Sequence, residues 1–144
     1  MIYRTYVLIC EGGGCLSSGA DKVKEAFISE IKKQGLENEV LVVGTGCVGT
    51  CDLGPVVIIH PDGTFYQKLK PEDVPEIVEE HLLKGRVVER LAYKPGEKVV
   101  KVEEIDFFKY QQKNVLRNCG VIDPTKIEEY IGADGYKALS LIHI

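Results

Sequence analysis

The sequence predicts an α/β domain built on a mixed sheet, and three observations carry that expectation. Residues 2–9, 40–43 and 56–59 are short runs rich in strand-forming residues. Helical periodicity fills the gap between the first two runs and returns after the third, in Val74, Ile77, Val78 and Leu82. The first two runs each stop at a glycine-rich stretch that carries a cysteine pair, Cys10/Cys15 and Cys47/Cys51.

The first strand ends at Cys10 and is followed by Glu11-Gly12-Gly13-Gly14-Cys15. A helix is expected over 19–34, with Ser18 as its N-cap, Asp21 in the first turn and Val23, Ala26, Phe27 and Ile31 as the buried stripe. Gly35 suits the position just past its end. The second strand, 40–43, gives way to Gly44-Thr45-Gly46-Cys47-Val48-Gly49-Thr50-Cys51. A strand–helix–strand crossover makes its two strands parallel and places both following loops at one edge of the sheet. The four thiols are therefore expected to converge.

The apolar run 56–59, a turn at His60-Pro61-Asp62-Gly63 and a return strand from Thr64 predict a hairpin. Pro71 opens a second helix, which Gly85 ends, and residues 86–91 read as one more short extended piece. The order β-α-β-β-β-α is then complete by residue 92, an α/β sandwich that resembles a thioredoxin-like fold. Residues 93–104 read as a charged linker. Beyond them, 105–116 reads as helical, Asp123-Pro124 as an N-cap with proline at the first helical position, Ile127 and Ile131 as a buried side, and 136–139 as the start of another helix. Three short helical pieces cannot enclose a core, so 105–144 is expected to open a second domain cut short here.

The chain has 144 residues, 44% of them hydrophobic and 28% charged, which is enough to build a real core. A net charge of -4 argues against nucleic acid as partner. The aliphatic run 56–59 is far too short to span a membrane, and the N-terminus lacks a secretory cleavage pattern. Five cysteines without an export signal point to a reducing, cytoplasmic setting in which thiols stay free for metal.

Three chemistries suit Cys10, Cys15, Cys47 and Cys51. A [2Fe-2S] cluster takes two thiolates on each iron, and two pairs on glycine-rich loops (Gly12, Gly13, Gly14, Gly46, Gly49) match that demand. A structural zinc site with four cysteines tolerates the C-x4-C and C-x3-C spacings, although such zinc usually serves domains lacking a core. Dithiol–disulfide exchange normally uses C-x-x-C at a helix N-terminus, a spacing neither pair has. No catalytic residue is expected. Gly44, Gly46 and Gly49 spell the G-x-G-x-x-G dinucleotide fingerprint, but Gly54-Pro55 breaks the helix that a pyrophosphate would need. His60, His81 and His143 read as solvated. Glu72, Asp73, Glu76, Glu79 and Glu80 read as a solvated helix face whose functional reading is an acidic docking surface for a redox partner.

C-x4-C followed by C-x3-C in this setting resembles the thioredoxin-like [2Fe-2S] ferredoxins, and residues 61–66 and 77–85 resemble that domain's second half. Phe107-Phe108-Lys109, the run 115–124 and the run 127–131 resemble the opening of the flavin-binding, NAD(P)H-oxidising subunit of NADH dehydrogenases and of NADP-reducing or electron-bifurcating hydrogenases. The resemblance implies a domain over 1–92, a linker over 93–104 and a truncated flavoprotein segment over 105–144. It implies that Cys10, Cys15, Cys47 and Cys51 ligate a [2Fe-2S] cluster, with FMN and NAD(P) bound only downstream. Its implied partners are the flavoprotein domain and the other subunits of a redox complex. It assigns no ligand role to Cys119. Residues 139–144 depart from the family and read as adaptor-encoded rather than native.

Overall fold

The computed structural model describes residues 3–119 and 121–142. Four strands, β1 (Thr5–Cys10), β2 (Val40–Thr45), β3 (Val57–His60) and β4 (Thr64–Tyr66), form one sheet in the order β2-β1-β3-β4. The helix α2 (Ala20–Lys33) connects β1 to β2, which run parallel, while β3 pairs antiparallel with both β1 and β4. This is the mixed sheet the crossover and hairpin signals predict. The second helix starts as a 3-10 turn at Pro71–Asp73, continues as α3 (Val74–Ile77) and widens into a π-helical turn over Val78–Leu83.

Register explains the core. Val7 lies opposite Ile59 and Ile9 opposite Val57, so these side chains share the face that receives α2 and α3. Val23, Phe27 and Ile31 of α2 and Val74, Ile77, Val78 and Leu82 meet them, each no more than 3% exposed. Burying each such side chain stabilises the fold by about 1.5–3 kcal/mol. On the other face Tyr6 lies opposite His60 and Leu8 opposite Ile58, and Val121 of the C-terminal part lines a cavity with Tyr6, Leu8 and His60.

Several local expectations are corrected. The glycine-rich stretch after β1 is not a plain loop, because Gly13–Ser17 forms the short helix α1. Ser18 does not cap α2; its hydroxyl donates to the Gly14 carbonyl at 2.9 Å, and Gly19 takes the cap position with φ 91°. Residues 86–91 form no strand; a single bridge links Ala92 to Tyr66 instead.

Residues 93–104 run along the edge of β4. The Tyr93 N–H donates to Phe65 O and the Val102 N–H to Gly63 O, both at 2.8 Å. Phe65 also stacks with Tyr93 and Phe108, each with centroids 5.9 Å apart. This covers the row of backbone groups that an edge strand exposes. The helix expected over 105–116 is only one turn, α4 (Asp106–Lys109). Phe108 anchors that turn, whereas Tyr110, Val115 and Leu116 are exposed and have no packing to support a longer helix. Asp123 is no N-cap either. Its carboxylate accepts from the Thr125 N–H and hydroxyl, and α5 (Ile127–Gly132) begins later, followed by α6 (Lys137–Ile142). His143 lies outside the described residues. Among the described residues no helix is long and apolar enough to cross a membrane.

Candidate metal centre

The parallel pairing of β1 with β2 decides where the cysteines go. Cys10 ends β1 beside Thr45, the last residue of β2, so both chain exits leave the sheet at one edge. Cys15 follows on α1, and Cys47 and Cys51 follow on the loop after β2. Cys10 and Cys15 are buried, whereas Cys47 and Cys51 are exposed. The site thus has an inner pair and an outer pair.

Two glycines allow the loops to meet. A Cβ on Gly12 would lie 2.8 Å from Cys47 Cβ and 3.1 Å from Cys47 Sγ, and one on Gly14 would lie 3.2 Å from Cys51 Sγ. Carbon atoms cannot approach that closely, so any side chain at Gly12 would push the two loops apart. Gly49 contributes differently: its N–H donates to Cys47 Sγ at 3.3 Å, a contact that stabilises a thiolate. At Gly13 an added Cβ would meet nothing, so the close approach of the loops rests on Gly12 and Gly14.

The electrostatics show pairing as well. Burial, then the hydrogen bond to Cys10 and the charge of Cys10, push the Cys15 thiol up to about 11, against a backbone hydrogen bond at Val56. The Cys51 thiol is also raised, first by its hydrogen bond with Cys47 and then by the Cys47 charge. Four thiolates this close repel one another, and a cationic centre relieves that repulsion. Among the described residues no three His, Cys, Asp or Glu side chains surround one common point. Donors arranged as two pairs fit a binuclear centre better than a single tetrahedral ion. These residues fit a [2Fe-2S] group.

Cys119 arrives unannounced by its sequence position. Its thiol donates to the Cys47 carbonyl at 3.1 Å, and a Cβ on Gly46 would lie 3.1 Å from its Sγ. The Phe107 ring sits against Gly49 in the same way, its Cζ 3.1 Å from where a Cβ would be. The C-terminal part therefore lies over the outer cysteine loop. The G-x-G-x-x-G stretch meets no helix: Cys51–Leu53 is one 3-10 turn, and β3 follows.

His81 corrects the reading of the histidines. It is buried, with Nδ1 2.8 Å from the Tyr66 hydroxyl and Nε2 2.9 Å from Asp62 Oδ2. The Val88 N–H donates to the Tyr66 oxygen at 3.1 Å, so the hydroxyl proton is directed to Nδ1 and the Nε2–H donates to Asp62. The acidic helix face is solvated as expected, and its carboxylates are largely paired. Lys84 pairs with Glu79 and Glu80, Arg86 with Glu80, and Arg90 with Asp73 and Glu76, which removes most of the charge a docking partner would read.

A mixed four-stranded sheet with a helical face and four thiols gathered at one edge defines a small thioredoxin-like metal-cluster carrier. The chain belongs to the thioredoxin-like [2Fe-2S] ferredoxin family, whose pattern it matches over residues 2–82. It is 42% identical over 79 residues to a 2Fe-2S ferredoxin of Clostridium pasteurianum, covering 55% of this chain and 78% of that one. The crystal structure of the thioredoxin-like [2Fe-2S] ferredoxin of Aquifex aeolicus superposes with a TM-score of 0.59 at 36% identity, over 65% of this chain and 99% of that one. Two cysteine-to-serine variants of that protein have also been crystallised. An NAD+-reducing [NiFe]-hydrogenase shares the fold at 11% identity and a TM-score of 0.50, over 67% of this chain and 18% of that chain. The protein is an electron carrier, and its cofactor is a [2Fe-2S] cluster.

Proposed function

We propose that Cys10, Cys15, Cys47 and Cys51 are the four ligands of that cluster, with Cys10/Cys15 on one iron and Cys47/Cys51 on the other. The observation that carries this reading is the gathering of two thiol pairs at one sheet edge around Gly12 and Gly14. Bound there, the group would supply a one-electron couple. The chain's own residues do the rest. β1 and β2 fix the loop origins, the Gly49 N–H donates to Cys47 Sγ, and the buried inner pair keeps water from half of the site. No substrate bond is made or broken at these residues.

The finer proposal is that residues 1–92 are the front domain of an NAD(P)H-linked flavoprotein oxidoreductase subunit, of NADH dehydrogenase or hydrogenase type, and that 105–144 is the entry segment of its next domain, its native part ending before 139. Its support is physical. Val115, Leu116, Val121, Ile127 and Ile131 are all at least 53% exposed, which is apolar surface that a larger assembly would cover. The fold shared with part of an NAD+-reducing hydrogenase chain agrees with this placement.

Protein purified without oxygen is expected to be reddish-brown and to hold about two irons and two sulfides per chain. Colourless protein with one zinc ion would replace this reading with a structural metal site. Dithionite is expected to reduce the protein and produce a paramagnetic signal, whereas NADH and NADPH alone leave it oxidised. Rapid bleaching by NADH in the absence of any flavoprotein would place a nucleotide site in this chain and overturn the division of labour.

A further inference from the structure

Glu11 follows Cys10 directly, and its carboxylate does not face solvent freely. Its backbone N–H donates to Thr45 O at 2.9 Å, which turns the side chain back along the sheet. There it passes over Gly44, the partner of Ile9 in the β1–β2 register. A Cβ on Gly44 would lie 2.1 Å from Glu11 Oε2 and 2.7 Å from Lys24 Nζ. The missing side chain leaves the channel through which Glu11 reaches α2. Lys24 Nζ then donates to Glu11 Oε1 at 2.7 Å, with the two side chains only 31% and 33% exposed. Gly44 thus accommodates an ion pair rather than a dinucleotide.

We propose that the two members of the Glu11–Lys24 pair bias the reduction potential of the site in opposite directions and balance each other, the carboxylate opposing reduction and the ammonium favouring it. The proposal rests on the reading of Cys10 and Cys15 as ligands. Accepting one electron adds one negative charge at the cysteine loops, and the electron comes from an external donor. Glu11 is joined directly to Cys10, and its carboxylate is held in place by Lys24 and partly shielded from water, where salt screens a charge less than in bulk solvent. Glu11 alone would raise the cost of that added charge. Lys24 offsets it from the helix side, so the pair holds the potential near the value of an uncharged loop.

The two members therefore act with opposite sign, which a purely structural ion pair would not do. Spectroscopically monitored titration with dithionite on the full chain separates the cases. Glu11→Gln is expected to shift the midpoint potential upward, Lys24→Met to shift it downward, and the double variant to return it close to the starting value. Both single variants are expected to bind iron and sulfide in full. Shifts of the same sign, or no shift in either variant, would overturn the proposal. Should Glu11→Gln fail to fold, Lys24→Met decides alone: a downward shift supports the proposal and an unchanged potential rejects it. Failure of the ligand reading looks different, because then the unsubstituted protein itself holds no cluster.

Discussion

Replacing any one of Cys10, Cys15, Cys47 or Cys51 by alanine is expected to abolish stable cluster binding, with iron falling from about two per chain toward zero. The iron assigned to the altered pair would then keep only one protein thiolate, while the other pair would stay complete. Cys119 does not fill the gap, because its thiol is held at the Cys47 carbonyl. Serine is a milder probe, since its hydroxyl oxygen remains a metal donor. Serine variants are expected to retain some colour with altered absorption, while alanine variants lose it. Cys119→Ala is expected to keep iron and sulfide at the unsubstituted level. Iron and sulfide assays on anaerobically purified variants check all five positions. Full cluster content in Cys47→Ala would remove the outer pair from the ligand set.

The second large effect is expected at His81. Replacing it by leucine keeps the apolar volume but removes both hydrogen bonds, leaving the Tyr66 hydroxyl and Asp62 Oδ2 without their buried partner. The Tyr66 O–H then lacks its buried acceptor while Asp62 Oδ2 keeps the Thr64 hydroxyl, so unfolding free energy should fall by about 1–3 kcal/mol. Burial pushes the Tyr66 hydroxyl up to about 12, against its hydrogen bond from Val88, so the phenol stays protonated and able to donate throughout the neutral range. Burial opposes the charge of Asp62, but hydrogen bonds from His81 and Thr64 outweigh it and hold the carboxyl below the usual carboxylate range. A carboxyl depressed in the folded state contributes stability that is present above its unfolded value and lost as pH falls through the folded one. The Asp62 contribution should therefore persist at neutral pH and fade only in acid, below about 3.9. Urea unfolding of the unsubstituted protein, His81→Leu and Asp62→Asn at neutral and acidic pH measures both effects. Equal stability of His81→Leu and the unsubstituted protein would mean that the relay contributes nothing.

The acidic face around Glu76 and Glu80 shows why charge counted along a helix misleads. Arg86 and Arg90 lie after the helix in sequence, yet they fold back onto it, and Arg90 joins Asp73 and Glu76. Exposed pairs of this kind add little stability, but they neutralise a patch that looks strongly acidic when read alone.

What the sequence determined by itself was local or governed by chain connectivity. The stripes Val23, Phe27, Ile31 and Val74, Ile77, Val78, Leu82 are periodic, and periodicity is visible in a string of letters. Right-handed crossovers are a general rule, so two strands with one helix between them already place Cys10 beside the end of β2. Tertiary structure alone decided the rest. His81 looks solvated among glutamates because its partners lie 15 and 19 residues away, on a strand and a turn that only the folded sheet brings to the helix. Gly44 looks like part of a nucleotide loop because nothing in its own neighbourhood announces that Glu11 and Lys24 meet over it. A residue's polarity is written in the sequence, but its burial and its partner are properties of packing between distant segments, and no local pattern encodes them.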